Sequence, residues 1–486
     1  MGFKTDTSFL KFLTMGATGV RSTLNVMTEV GFQPIELERY CASNKIWSTK
    51  VKRLRLPDIL CVRTGVRVEV RAKSDLRVRM SDSPDNPDRR WDMGLRDDDL
   101  VAFVACATGE GKVSVVGPPV FFAAADLRAS VDSTKLGPPK SASEGAERDR
   151  EWPSTVPSEN GKVISVGDGK ICTLLASGRR QSYQFKGKHP YVVAGDEFVG
   201  GASIIAGTVP RIAPLVTLRN RKWDCRKALG AEDPVDRYAA AKALPHTSGV
   251  NTWGSAALAR ALKKESEDRV ALELAASAAR LGATFGIDGV SKTIWNHERA
   301  DLRMEGVLIL TELATGPATA ELVRVARAEK FAGSEIRQAA VWGLGKAGAR
   351  SYKNLLHFLA DEDEGVALHA IGAFGADTPA DVVDALVSLL ITGAPRVRAA
   401  ASAALKAIQS DEAIEAVARA AKHCSGDETW VLATLGRFPS SRVRTLLAGD
   451  LLLTKVAPLL ALGPEENWLA NPAVASDLGF LLLQDL

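Results

Sequence analysis

A helical segment recurs every 30 or 31 residues in the second half of the chain, and this recurrence constrains the fold more than any single motif. Ser334-Glu-Ile-Arg-Gln-Ala-Ala-Val-Trp-Gly-Leu-Gly345, Glu364-Gly-Val-Ala-Leu-His-Ala-Ile-Gly-Ala-Phe-Gly375 and Pro395-Arg-Val-Arg-Ala-Ala-Ala-Ser-Ala-Ala-Leu405 align so that Ile336, Val366 and Val397 are equivalent. Leu281-Gly282 precedes Leu344-Gly345 by 63 residues, two such periods. Each copy has an aliphatic stripe at helical spacing and small residues where two helices must approach closely. One helical hairpin of this kind leaves an apolar face uncovered, so neighbours must stack into a solenoid.

The copies resemble HEAT repeats, in particular the short kind with acidic-x-x-(Val/Ile)-Arg-x-x-Ala at the start of the second helix. The resemblance covers residues 230–450, five to seven units, with 451–486 as a C-terminal cap. It implies an α-solenoid that docks a protein partner. Arg303, Arg337, Arg396 and Arg398 fall at equivalent or nearby repeat positions and read as ion-pairing residues between neighbours, with an inner-face role as the alternative.

Composition narrows the rest. With 486 residues, 46% hydrophobic and 25% charged, the chain can bury real cores and is not disordered throughout. Its most apolar stretches, 382–392 and 451–462, are too short to cross a bilayer. The beginning, MGFKTDTS, lacks a basic region leading into an apolar one, so a cytoplasmic protein without membrane contact is expected. Six scattered cysteines without a CxxC pair read as reduced thiols. The net charge of +4 is a cancellation: residues 230–486 hold 26 Lys and Arg against 32 Asp and Glu, residues 1–229 hold 36 against 26.

Residues 131–160 are rich in Pro, Ser, Gly and charge and read as a linker. Residues 161–220 alternate in short runs (162–166, 171–175, 191–193, 202–206) and read as a small β-barrel or sandwich module, with His189-Pro190 as a turn. Residues 1–130 hold the pattern that bears on chemistry. A helix is expected over 17–30 and a strand from Gln33 to Arg39. Then comes Leu54-Arg-Leu-Pro-Asp58-Ile-Leu-Cys-Val-Arg-Thr-Gly65-Val-Arg-Val-Glu69-Val-Arg-Ala-Lys73. Thr64-Gly65 marks a hairpin turn; with a two-residue loop, Asp58 lies opposite Arg71 and Leu60 opposite Glu69. Strand alternation puts Val66, Val68, Val70 and Ala72 on one face, and Arg67, Glu69, Arg71 and Lys73 with Asp58 on the other. Two carboxylates and several cations then converge, a set that suits a hard divalent ion and a phosphate.

This segment resembles the PD-(D/E)xK nuclease superfamily through Pro57-Asp58, a ten-residue gap and Glu69. Arg71 stands where the family lysine usually is, and Lys73 follows one strand step later, so a displaced-lysine active site and a silent DNA-binding relative both remain open. The resemblance implies a restriction-endonuclease-like α/β domain in which Asp58 and Glu69 hold Mg2+ or Mn2+, Lys73 and Arg71 assist, and Glu29 is an accessory acid. From Lys45 to Arg79, eleven Lys and Arg face three acids, an excess that suits a DNA backbone. Lys45, Lys50, Lys52, Arg53, Arg55, Arg67, Arg77 and Arg79 are the expected phosphate contacts. Trp47 and Trp91 read as core residues before base-stacking ones, and Asp82, Asp85, Asp88 and Asp97–Asp99 as solvated turns. The sequence thus predicts a multidomain α+β protein: a nuclease-like domain, a small all-β module and a HEAT-like solenoid. The function expected is a metal-dependent DNA endonuclease of bacterial anti-phage defence, or else a non-catalytic scaffold joining nucleic acid to a protein partner.

Overall fold

Every residue of Leu100-Val-Ala-Phe-Val-Ala-Cys106 is apolar because both faces of this strand are covered. On one side Leu100, Ala102, Val104 and Cys106 share a core with Met15 and Met27 of the first helix, α1 (Thr7–Val30). On the other, Val101, Phe103 and Ala105 pack with Trp91, Phe122, Leu127 and Trp152. The structure, a computed structural model, describes residues 7–37, 47–51, 54–109, 112–140, 147–346, 351–423 and 428–461. They fall into two compact units, a sheet-bearing one made of the described residues up to 37 and between 54 and 277, and a helical one made of 47–51 and the described residues from 278 to 461.

The strands of the first unit begin with β1 (Pro34–Glu36), β2 (Ile59–Cys61), β3 (Arg67–Lys73), β4 (Val78–Asp82), β5 (Leu100–Gly109), β6 (Lys112–Val115) and β7 (Val120–Ala123). The main sheet runs β1-β2-β3-β5-β6, with β7 also pairing β5; β3 and β5 are parallel and the other pairs antiparallel. Helix α1 crosses β3 where Gly19 meets Ala72, and a Cβ on Gly19 would sit 2.5 Å from the Ala72 Cβ. Only glycine permits that approach.

Residues 131–160 are not a linker. They carry β8 (Lys135–Leu136), β9 (Arg148–Trp152) and β10 (Ser154–Thr155), and β9 pairs with β4 from Val78↔Trp152 to Asp82↔Arg148. Trp152 is fully buried, donates from Nε1 to the Leu127 carbonyl at 3.0 Å and meets the Trp91 ring edge to face at 4.9 Å. The polar composition misleads because one tryptophan supplies the burial while the charged positions of β9 form ion pairs.

The β module follows as β11 (Gly161–Gly167), β12 (Lys170–Leu175), β13 (Arg180–Gln184), β14 (His189–Pro190), β15 (Glu197–Phe198) and β16 (Ala206–Gly207). Its four-stranded sheet is β13-β12-β11-β15, and β10-β16-β14 form another. The expected strands at 162–166 and 171–175 are β11 and β12. His189-Pro190 is a short strand rather than a turn, 191–193 is not a strand, and 202–206 contributes only its last residue to β16. The boundary expected at 230 also moves, since the sheet-bearing unit runs to Ser277. Lys242 Nζ donates to the Leu37 carbonyl at 2.6 Å and Arg96 pairs with Asp233 at 3.0 Å, tying the first C-terminal helices to the sheets.

The helical unit repeats as paired helices, among them Ala300–Leu313, Gly316–Ala326, Glu335–Leu344, Glu364–Ile371, Ala380–Thr392, Pro395–Ile408 and Asp411–His423. Ile336 and Val366 are buried and Val397 half-buried at equivalent positions. Small residues sit where the period requires them: a Cβ on Gly343 would lie 2.2 Å from Thr311 Oγ1. Arg337 forks onto Asp361 of the next repeat at 2.7 and 2.5 Å. Arg396 reaches the Asp361 carbonyl, whereas Arg303 and Arg398 donate to the carbonyls of His297 and Gly393. Of the C-terminal cap, helix Leu452–Ala461 is seen and residues 462–486 lie outside the described residues. No helix among the described residues is long and apolar enough to cross a membrane.

Candidate functional site

The hairpin that carries Asp58 and Glu69 closes through a four-residue loop, Val62 to Gly65, rather than two residues. Cys61 N donates to Val66 O at 2.8 Å and Gly65 N to Cys61 O at 2.9 Å, with Gly65 left-handed at φ +68. The loop is held from outside, because the Trp223 side chain packs on Gly65 and the Trp223 backbone N–H donates to Arg63 O at 3.1 Å. The register is Ile59↔Val68 and Leu60↔Arg67, not Leu60 opposite Glu69. A shift of two preserves faces and changes partners. Asp58 itself lies in a bend just before β2, outside the paired register, with its carboxylate near enough to Glu69 to act on it electrostatically.

Asp58 is half-buried and its Oδ2 accepts from Val70 N at 2.7 Å. Glu69 pairs with Arg71 at 2.9 Å. Burial pushes the Glu69 carboxyl up to about 7; Arg71 opposes the shift, and Asp58 and Asp99 reinforce it. Burial likewise lowers the Lys73 amine to about 8, helped by Arg79 and opposed by Asp149, which lies 3.9 Å from its Nζ. A cavity of about 230 Å³ opens beside these groups, lined by Leu54–Pro57, Glu69, Arg71, Trp91 and Met93–Leu95.

A carboxyl whose folded pKa is raised binds a proton more tightly in the native state, so it contributes stability below its unfolded value that is lost as pH rises through the folded one. The chain is therefore expected to lose stability between pH 4.5 and about 7 through Glu69. In Glu69→Gln that part of the pH dependence of the urea midpoint should vanish.

The cationic cluster divides. Arg67 is buried at 4% side-chain exposure and forks onto Asp99 at 2.7 and 2.5 Å, so it is an internal tie and not a phosphate contact. Arg79 lies 3.4 Å from Asp75 and 3.7 Å from Asp149, and Arg77 pairs with Asp75 and approaches Glu151 at 3.8 Å. Lys50, in the helical unit, donates to the Trp47 carbonyl. Arg55 is exposed with no ion pair among the described residues, as is Arg63. Lys45, Lys52 and Arg53 lie outside the described residues. Glu29 is exposed on the last turn of α1, with no hydrogen bond or ion pair to Asp58 or Glu69 among the described residues. Trp47 and Trp91 are buried.

The counter-charges the sequence reading missed are Asp99, at the start of β5, and Asp149 and Glu151 on β9. Asp82, read as a solvated turn, is buried, accepts from Trp91 N at 3.1 Å and pairs with Arg150 at 2.6 Å. The alternation Arg148-Asp149-Arg150-Glu151 before Trp152 was the available signal. The excess counted between Lys45 and Arg79 is thus partly neutralised by strands distant in sequence. As a metal site, Asp58 and Glu69 offer hard oxygens, but one Asp58 oxygen is engaged by a backbone N–H and Glu69 by Arg71. No group of three His, Cys, Asp or Glu suited to a metal ion gathers among the described residues.

Residues 352–436 match the family model for HEAT repeats, so the C-terminal helical region carries HEAT repeats. No curated protein matches the chain. Among solved structures, the CpcE and CpcF complex of phycocyanin lyase from a Nostoc species is 19% identical, covering 49% of this chain and 92% of that one at a TM-score of 0.24. Human deoxyhypusine hydroxylase is 15% identical, covering 53% and 93% at 0.20. An engineered protein is 19% identical, covering 53% and 96% at 0.16. Likenesses this faint carry nothing about what the chain does.

Proposed function

We propose that this chain is a non-catalytic scaffold whose HEAT repeats dock a protein partner and whose sheet-bearing unit engages nucleic acid. The observation that carries this reading is the engaged state of the two carboxylates. Glu69 is held by Arg71 and burial disfavours its charged form, whereas a divalent cation wants charged, unencumbered oxygens. Stacked repeats offer extended surfaces suited to protein docking. The exposed cations Arg55 and Arg63 supply the nucleic-acid contact, a sequence-independent attraction to phosphates.

A second reading is favoured by the hairpin register. With the Asp58 carboxylate near Glu69 and Lys73 on the same face of β3 as Glu69, the arrangement suits a metal-dependent DNA endonuclease, and the nuclease resemblance would then place it in anti-phage defence. Asp58 and Glu69 would hold Mg2+ or Mn2+, which supplies Lewis-acid stabilisation of a phosphoryl group. Arg71 would have to release Glu69, and the Lys73 amine, with its lowered pKa, is placed to exchange a proton.

One experiment separates the two. The full chain is incubated with supercoiled and linear DNA in Mg2+ or Mn2+ across a salt series, beside Asp58→Ala and Glu69→Ala. The scaffold reading expects binding that weakens steeply with salt and leaves DNA intact. Cleavage lost in both variants would replace it with the nuclease reading, and salt-independent or absent binding would remove nucleic acid as a ligand.

A further inference from the structure

The connection between β1 and β2 contains a stretch that belongs to the helical unit. Residues 47–51 cluster with the repeats although the strands before and after them lie in the sheet-bearing unit. Within it, Ser48 N donates to Glu335 Oε1 at 2.6 Å and Thr49 N to Glu335 Oε2 at 2.8 Å. Glu335 opens the helix Glu335–Leu344, so both of its oxygens are taken by the backbone of a segment 286 and 287 residues away. Burial alone would raise the Glu335 carboxyl, yet these donations hold it below the ordinary carboxylate range.

Beside this clamp, Trp47 is 3% exposed and its indole meets two rings from consecutive repeats. Trp342 lies edge to face at 6.2 Å and His369, on the next repeat's helix Glu364–Ile371, at 5.2 Å. His369 is driven down to about 4 by burial and by Lys346, against the pull of Asp363, and so presents an uncharged ring at neutral pH. Val51 is buried as well. The pattern is that of peptide recognition: an aromatic anchor in a pocket and a carboxylate reading two successive backbone N–H groups. Two features mark it as an engagement that opens rather than as permanent core. Among the described residues, the indole N–H groups of Trp47 and Trp342 are buried without a hydrogen-bond partner, which disfavours the closed state. Two successive backbone N–H groups of the segment, those of Ser48 and Thr49, are read by one side chain, Glu335.

We propose that residues 47–51 form a latch, an intramolecular peptide ligand seated in a notch made by Glu335, Trp342 and His369, and that its release frees the chain leading into β2. Asp58 follows Val51 by only seven residues in the sequence, which is the covalent link between the latch and β2. The proposal depends on neither reading of the protein's function.

Amide hydrogen exchange on the full chain tests it, comparing wild type with Glu335→Gln and with wild type plus excess free peptide of sequence 44–53. Loss of the charged acceptor should speed exchange at Ser48 and Thr49 by at least about tenfold, the equivalent of one charge-assisted hydrogen bond. The helices at 335–344 and 364–371 should remain protected. The free peptide should produce the same acceleration in wild type by displacing the resident segment, and both treatments should speed exchange in the amides of β2. Unchanged protection at Ser48 and Thr49 under both treatments would overturn the latch. Faster exchange there with β2 unaffected would overturn its coupling to Asp58. If Glu335→Gln instead unprotects the repeat helices, the segment is repeat core and the proposal fails.

Discussion

Replacing Asp99 with Ala should lower the stability of the sheet-bearing unit by about 3–5 kcal/mol, the cost of leaving a buried charge without its partner. Arg67 sits on β3 with its guanidinium enclosed, at 4% side-chain exposure against 3% for Asp99. Both Asp99 oxygens accept from it, and Asp99 also accepts from Arg96 N at 2.7 Å. The next carboxylate, Asp236, is 3.9 Å from Arg67 Nη1 and cannot replace a bidentate fork. Urea unfolding followed by exchange of the β3 and β5 amides reads the loss. Arg67→Met combined with Asp99→Leu should recover most of it, since an apolar pair of similar volume is often as stable as a buried ion pair. A loss under about 1 kcal/mol for Asp99→Ala would return Arg67 to the surface and to the list of phosphate contacts.

Trp152→Ala should cost a similar amount, about 3–5 kcal/mol, from the lost apolar burial and the cavity left behind. The indole is fully enclosed against Trp91, and its N–H serves the Leu127 carbonyl. Glu151→Ala, one residue away on a partly exposed position near Arg77, should change stability by no more than about 0.5 kcal/mol. The contrast in urea midpoints decides whether residues 147–155 are sheet or tether. Equal, small effects at both positions would restore the linker.

How far the chain was legible depended on whether its signals were local. The repeat period, the two-faced burial of β5 and the alternation along β3 were readable because each follows from neighbours in sequence. The hairpin register was not: the loop is four residues long, and Trp223, a partner no local pattern announces, packs on its Gly65. The register differs by two from the expected one, pairing Leu60 with Arg67 rather than Glu69, and Asp58 falls in a bend outside it. The charge count failed in the same way, since Asp99, Asp149 and Glu151 reach the basic strand only through sheet pairing and packing. Trp47 was readable as a buried residue, but its burial among the repeats was not.

The sequence alone determined that the C-terminal half is a stack of helical hairpins, because thirty-residue units with one uncovered face have no other way to bury it. It also pointed to Glu69, Arg71 and Lys73 on one face of β3, because alternation is set by backbone geometry, whereas Asp58 lies in a bend outside that alternation. Tertiary structure decided what those groups do there. Packing enclosed Glu69 enough to raise its carboxyl to about 7, and sheet pairing supplied Lys73 and Arg79 with Asp149. It also gave the segment 47–51 to the repeats. Periodicity is written residue by residue, whereas burial and ion pairing depend on which distant strands come together.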